Sequence, residues 1–381
     1  MLCTREDVLR RAMDYRTIII GESSHGIHEF AIERLDIALE MCEKDLIKFI
    51  AVEWDWCDCF KFNQFIRGVG GLDVETSRWP HFMWSNKETK DFLIKLRMVN
   101  DGRRNKIGFY GIDAFGLANA VKEVDKFILK NSVDISFDMN RSDRRSSAIL
   151  DSCTKFEDNE QTPSSSCKGF LSKNYENIEK NVIKLLDKVQ RMNLKDGEEL
   201  FNFKICCKIV ITICKMSNGR DDKWKLREDH MFDVYKLLEM RFRGMNKLSR
   251  GLILAHNTHV QLDTCITQRL PTISGMLDLD ALRIGIICYS GESLTAKEWG
   301  DKVMVTRIKS PVKGSWEDDL FNKVKGEKFY IELKSERSMK EVKKFRAIGA
   351  VHVTDQYFDM DLNCSFHFVI GIRNVTPIEM I

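Results

Sequence analysis

Thr17-Ile18-Ile19-Ile20-Gly21-Glu22-Ser23-Ser24-His25-Gly26 joins a β-branched apolar run to a polar turn that holds a carboxylate, a histidine and two glycines. The run is too short for a helix, and its unbroken apolarity fits a strand buried on both faces of a sheet. The change of character at Glu22 is abrupt, and it recurs along the chain. Phe49–Val52 runs into Glu53, Ile107–Ile112 into Asp113, and Leu252–Ala255 into His256. Helical spacing occupies the intervals, with Ile27, Phe30, Ala31, Leu35, Ala38 and Cys42 in 27–43 and Thr89, Phe92, Leu93, Leu96 and Val99 in 87–99. Strands that alternate with helices predict βαβ units: an α/β fold with a central, mostly parallel sheet flanked by helices.

Past Phe115 the strand signal stops. Helical periodicity takes over at 117–129, 175–192, 200–216 and 224–245, interrupted by a turn-rich loop at 161–169. Strands are expected again at 282–288, 302–306, 328–333, 350–353 and 366–370. The expected organisation is therefore a first part of the α/β core in 1–114, a helical insertion forming a lid-like region in 115–250, and the second part of the core in 251–381.

Bulk composition narrows the function classes. The 381 residues carry 60 Lys and Arg against 57 Asp and Glu, a formal net charge of +3, which predicts neither a nucleic-acid nor a membrane partner. No stretch approaches the roughly 18 apolar residues of a spanning helix, and the first residues, MLCTREDVLRRAMD, lack the apolar core of a secretory signal. The 12 cysteines are scattered without the paired CxxC spacing of a zinc site, so reduced thiols in a cytoplasmic protein are expected. Nothing in the sequence specifies an oligomeric state.

In an open α/β sheet, ligands bind beyond the carboxyl ends of the strands. Glu22 and His25, Glu53, Asp113, and His256 with His259 all take that position in their own segments, although the chain has only 8 histidines. Each carboxylate alone is equally well explained as a helix cap. Their shared rim is what makes them candidates. Gly21 and Gly26 suit a tight strand-to-helix turn, and His25 lies just ahead of the helix, where free N–H groups favour negative charge. Arg34 falls at the edge of that helix's apolar face, as a structural ion pair or as a fork for a rim carboxylate. His28 is expected to be structural. Trp54, Trp56, Trp79, Phe82 and Trp84 cluster after Glu53, either as core or as an apolar wall for a bulky substrate. No GxSxG elbow, Walker A or GxGxxG segment is present, so histidine and carboxylates point to direct activation of water.

These residues resemble the erythromycin esterase family. The resemblance rests on GExxHGxxEFxxxR at Gly21–Arg34, on Glu53, on Met83-Trp84 leading to Leu96-Arg97 and Asn100, on Phe109-Tyr110-Gly111-Ile112-Asp113, and on Ala255-His256-Asn257-x-His259. The Arg-Asp-x-x-Met segment that the family carries on a late insertion helix departs here at one position, reading Arg227-Glu228-Asp229-His230-Met231. The resemblance implies an α/β core with a helical insertion and hydrolysis of a carboxylic ester or lactone, a small-molecule substrate. It implies a general base at His25 and further active-site positions at Glu22, Arg34, Glu53, His256 and His259. Asp113, Trp54 and Trp84 are the candidates for substrate binding. No cofactor is expected for this mechanism. The alternatives are a metal-dependent hydrolase, with His25, His256, His259 and one or two carboxylates around a divalent ion, and a non-catalytic small-molecule-binding relative.

Overall fold

A computed structural model of the chain describes residues 1–74, 79–133, 168–219, 222–245, 249–262, 270–334, 340–352 and 356–381. The chain forms two compact units. One holds Met1–Glu53, Asp58–Gly111 and Tyr235–Ile381, the other Trp54–Cys57 and Ile112–Val234.

Its strands are β1 Leu2–Cys3, β2 Thr17–Glu22, β3 Phe49–Asp55, β4 Gly108–Asp113, β5 Gly251–His256, β6 Ala281–Thr295, β7 Met304–Ile308, β8 Lys328–Glu332, β9 Lys343–Arg346, β10 Tyr357–Met360 and β11 Phe368–Val375. The main sheet runs β1-β8-β11-β6-β2-β5-β3-β4, with β7 paired to β6, while β9 and β10 pair separately. The pairs β11–β6, β6–β2, β2–β5 and β5–β3 are parallel, and β1, β7 and β8 join antiparallel. The centre of the sheet is thus parallel, as the alternating pattern requires. Ile18, Ile19, Ile20, Ile50, Val52, Leu252, Ile253 and Leu254 are all fully buried. Each such side chain contributes about 1.5–3 kcal/mol, so the unbroken apolar runs stabilise the middle of the sheet.

Register aligns the strand ends. Thr17 and Phe49 both pair with Gly251, Val52 pairs with Leu254, and Glu22 stands opposite His256. Glu53, one step beyond Val52, therefore emerges at the same level of the sheet as the end of β5.

The helices are α1 Arg5–Ala12, α2 His28–Glu43, α3 Trp56–Ile66, α4 Lys87–Asn100, α5 Leu117–Lys130, α6 Lys168–Arg191, α7 Glu198–Ser217, α8 Lys223–Met245, α9 Asn257–Val260, α10 Ile273–Leu277, α11 Trp316–Lys323 and α12 Leu362–Ser365. Thr4 and Asp7 form a reciprocal capping box on α1. Asn86 Oδ1 accepts the Thr89 N–H at 2.8 Å and starts α4. The second unit is helical, with α5, α6 and α7 packed through pairs such as Phe127 and Phe203, whose rings stack at 4.2 Å. There the Trp56 Nε1–H donates to Asn202 Oδ1 at 2.7 Å. Among the described residues, no helix is long and apolar enough to cross a membrane.

Three local expectations need correction. The strand expected at 350–353 is reduced to an isolated parallel bridge between Ala296 and Val351, and Val353 lies outside the described residues. Of the loop expected at 161–169, residues 161–167 lie outside the described residues, and Lys168 and Gly169 already belong to α6. The cysteines are not uniformly reduced. Cys3, Cys42, Cys57, Cys59, Cys206, Cys207, Cys214 and Cys288 are free, but Cys364 is disulfide-bonded.

Candidate active site

Between β2 and α2 the chain makes a turn pinned on every side. The Ser23 N–H donates to the Ile286 carbonyl at 3.1 Å, and the Ser23 carbonyl accepts the Ile348 N–H at 2.7 Å. Ser24 Oγ lies 3.0 Å from Ser293 Oγ. The Gly26 carbonyl accepts the N–H groups of Leu294, at 2.9 Å, and Ile378, at 3.1 Å. A Cβ on Gly26 would lie 1.8 Å from the Leu294 carbonyl oxygen, and one on Gly21 would lie 2.3 Å from Asn257 Oδ1. Both glycines are thus required by close approach, with β6 in one case and α9 in the other.

This turn holds His25 between two carboxylates. Glu22 Oε1 is 3.0 Å from His25 Nδ1 and accepts from Arg34 Nη1 at 2.6 Å. Because a carboxylate next to an arginine only accepts, Nδ1 carries the proton of the neutral ring and Nε2 bears the lone pair. Nε2 faces Glu53 Oε1 at 3.8 Å, too far for a direct hydrogen bond. Glu53 is fixed in turn, with Oε2 accepting the His256 backbone N–H at 2.7 Å and Oε1 lying 3.2 Å from His259 Nε2. All these groups are buried, with Glu22 fully so and His25 5% exposed. Arg34 lies over the Trp84 ring at 4.8 Å, and the Trp84 Nε1–H donates to the Glu53 carbonyl at 3.2 Å.

His256 plays a different part. Its Nδ1 accepts the Thr258 N–H at 3.3 Å and lies 2.8 Å from Thr258 Oγ1, while Nε2 is 3.2 Å from the Ile348 carbonyl. With Nδ1 accepting, Nε2 is the protonated nitrogen and donates to Ile348. Burial, first of all, pushes its pKa down to about 3, and the neighbouring His25 acts in the same direction, so the ring is neutral at physiological pH. The His256 ring packs 5.0 Å from that of His25. Both of its nitrogens are engaged, and neither offers a lone pair to a metal. Among the described residues, no group of three or more His, Cys, Asp or Glu side chains is placed to hold a metal ion.

The structure therefore brings together Glu22, His25, Arg34, Glu53, His256 and His259, with Trp84 beneath them. His28, at the first helical position, is 2.5 Å from Glu88 Oε1 through Nδ1. Trp84 is 1% exposed and stacked on Arg34, so it supports the site rather than walling it. Asp113 and Trp54 belong to the helical unit. Asp113 accepts from Arg227 Nε and Nη2 at 2.8 and 2.6 Å, and Trp54 is fully buried with its ring 6.3 Å from Phe115. Thr258 and the Ile348 carbonyl, which fix the His256 ring, went unrecognised in the sequence. Thr258 was findable inside the His256-Asn257-Thr258-His259 segment, but a backbone carbonyl carries no sequence signal.

The fold and site are thus those of an α/β protein with a parallel sheet centre and a histidine flanked by two glutamates at the strand ends. Residues 43–375 match the family described as Erythromycin esterase, and the chain belongs to that family. Glu53, His256 and His259 lie within the matched span, while Glu22, His25 and Arg34 precede it, on a turn whose Ser23, Ser24 and Gly26 bond to Ile286, Ser293, Leu294 and Ile348 within it and on the helix that follows. An erythromycin esterase type II of Escherichia coli is 31% identical over 100 residues, which is 26% of this chain and 24% of that relative. The crystal structure of a succinoglycan biosynthesis protein superposes with a TM-score of 0.73 at 18% identity, covering 100% of this chain and 93% of the other. A protein from Bacillus cereus gives 0.72 at 16% identity, covering 100% and 94%. A mutant erythromycin esterase in its open conformation gives 0.61 at 14% identity, covering 97% and 94%. At these identities the three structures speak to the fold.

Proposed function

We propose that the protein hydrolyses a carboxylic ester or lactone by a water molecule that His25 activates. The observation that carries this reading is the His25 ring itself, with Nδ1 tied to Glu22 and Nε2 facing Glu53 Oε1 across 3.8 Å. That gap is too wide for a bond between the two groups, yet one water about 2.8 Å from each would be held by both. Nε2 takes a proton from this water as its oxygen attacks the substrate carbonyl carbon. The resulting imidazolium is stabilised through Nδ1 by Glu22, which Arg34 holds in place. Collapse of the tetrahedral intermediate expels the alcohol oxygen, and the proton returns from Nε2 to that leaving group. The products are a carboxylic acid and an alcohol, or a hydroxy acid from a lactone.

Arg34, His256 and His259 are positioning residues in this reading. Arg34 is committed to Glu22, and His256 has both nitrogens occupied and supplies a backbone N–H to Glu53. His259 orients the other Glu53 oxygen. The test is hydrolysis of a panel of esters and lactones by wild type and His25→Ala. A loss on the order of 10²–10⁴ in turnover by the folded variant supports the assignment. A variant as active as wild type overturns it, and a folded wild type that binds the panel without turnover supports a non-catalytic relative instead.

A further inference from the structure

We propose that Arg283, His367, Tyr15 and Ser365 form a binding site for one small oxyanion, a phosphate or carboxylate group, at the ends of the strands opposite His25. Arg283 is the third residue of β6 and pairs with Ile19, three positions before Glu22, so about 10 Å of strand separates the two levels. Its guanidinium reaches towards the strand starts, with Nε donating to the Ser365 carbonyl at 3.1 Å and Nη1 to the Asp278 carbonyl at 3.0 Å. Asp278 and Ser365 lie ahead of β6 and β11, and Tyr15 lies two residues ahead of β2. Glu22 and His25, by contrast, stand at the strand ends.

Arg283 is 4% exposed, and among the described residues no carboxylate forms an ion pair with it. Arg5, Arg34 and Arg227 each meet one, in Glu33, Glu22 and Asp113. The two carbonyls supply partial charge only. Burial pulls the guanidinium down to about 10, against the attraction of Tyr15 and Asp278. A buried cation without a counter-ion is costly, and a bound anion removes that cost.

Unused hydrogen-bonding groups surround the guanidinium. Among the described residues Arg283 Nη2 has no partner, and neither has the buried Ser365 Oγ, on the residue whose carbonyl holds Nε. The Arg283 backbone N–H donates to His367 Nδ1 at 3.1 Å, so Nε2 carries the proton and is a donor. Burial, then Arg283 and Arg11, hold this imidazole down to about 3, which keeps it neutral. The Tyr15 ring packs edge-on to His367 at 5.3 Å, and Arg11 lies over the same ring at 5.6 Å. A guanidinium N–H, an imidazole N–H and two hydroxyls, with a second arginine alongside, suit an oxyanion, whereas a cation would meet like charge.

The test is calorimetric titration of inorganic phosphate and of acetate, at constant ionic strength, into wild type, Arg283→Gln and Tyr15→Phe. Saturable one-site binding that weakens about tenfold or more in Arg283→Gln supports the site, as expected for the loss of a charge-assisted hydrogen bond. Tyr15→Phe removes one hydroxyl and leaves the buried guanidinium in place, so it decides the matter if Arg283→Gln does not fold; about threefold weaker binding is expected. Tighter binding of phosphate supports a phosphate-bearing ligand, and tighter binding of acetate supports a carboxylate. No saturable binding of either anion to wild type, or equal binding to wild type and the folded variants, overturns the proposal.

Discussion

Glu22 and Asp113 each close an apolar strand, each is fully buried, and each meets an arginine from a helix. Their local chemistry nevertheless diverges. Arg227 offers Nε and Nη2 to both oxygens of Asp113, and the Ala114 N–H adds a third bond at 2.8 Å. Arg34 offers only Nη1 to one oxygen of Glu22, its guanidinium lying over Trp84, and that oxygen also receives His25 Nδ1. Glu22 Oε2 and Arg34 Nε are buried without a hydrogen-bond partner. A saturated, bidentate pair acts as a cross-link, and a half-used pair next to an imidazole leaves its charge directed at that ring. A carboxylate at the end of a strand is thus marked by position, and its neighbours decide what it does.

The sharpest way to break this contrast is to neutralise the two carboxylates separately. Glu22→Gln is expected to lower kcat on an ester substrate by on the order of 10²–10⁴ with little change in KM, because Nδ1 loses the carboxylate that fixes the ring and stabilises its cation. A kcat within a factor of about two of wild type would place Glu22 with Asp113 as a structural group. Asp113→Asn should show the opposite balance. Loss of the buried pair costs on the order of 3 kcal/mol, read as a lower urea midpoint, with a smaller effect on kcat than on stability. If Asp113→Asn abolished turnover while leaving the midpoint in place, the comparison would fail.

Acid sharpens it further. Burial is the main cause that holds His256 and His230 down to about 3, against an ordinary value of 6.5. The folded chain then binds fewer protons than the unfolded chain between those values, so protonation favours unfolding. Their contribution is complete above about 6.5 and is lost as pH falls towards 3. Each is expected to cost on the order of 1–2 kcal/mol at pH 5 relative to neutral pH, measured by urea titration at both pH values. A midpoint that does not fall would mean that these rings are protonated, or reachable by water, in the folded state. The smallest expected effect is that of a chelator. With both His256 nitrogens engaged, EDTA should leave turnover unchanged, and a reversible loss restored by a divalent ion would reinstate a metal-bound water.

The sheet centre was legible because its apolar runs are local signals, and most members of the candidate site because they stand together at the ends of those runs, although each alone is ambiguous. Three isoleucines followed by Gly21-Glu22 read as a buried strand with an ionisable end, and β2, β3, β4 and β5 follow that grammar. Edge elements were not. β1, β9 and β10 are short and partly exposed; β1 pairs with β8 near the other end of the chain, and β9 and β10 pair only with each other, outside the main sheet. The roles within the site were harder than its membership. Nothing in the sequence distinguishes His25, with Nε2 facing a carboxylate, from His256, whose ring is fixed by Thr258 and a carbonyl from residue 348. Of the two readings open for the aromatic residues after Glu53, burial of Trp54, Trp56, Phe82 and Trp84 agrees with the core one.

In the proposed hydrolysis water itself attacks the substrate carbonyl. A single turnover of an ester in H₂¹⁸O with enzyme in excess, followed by mass spectrometry of product and protein, tests it directly. Direct attack by water is expected to give ¹⁸O in the carboxylic acid from the first turnover and a protein of unaltered mass throughout. An acylated protein, or ¹⁸O incorporated into Glu53 or Glu22, would show a covalent intermediate and contradict it.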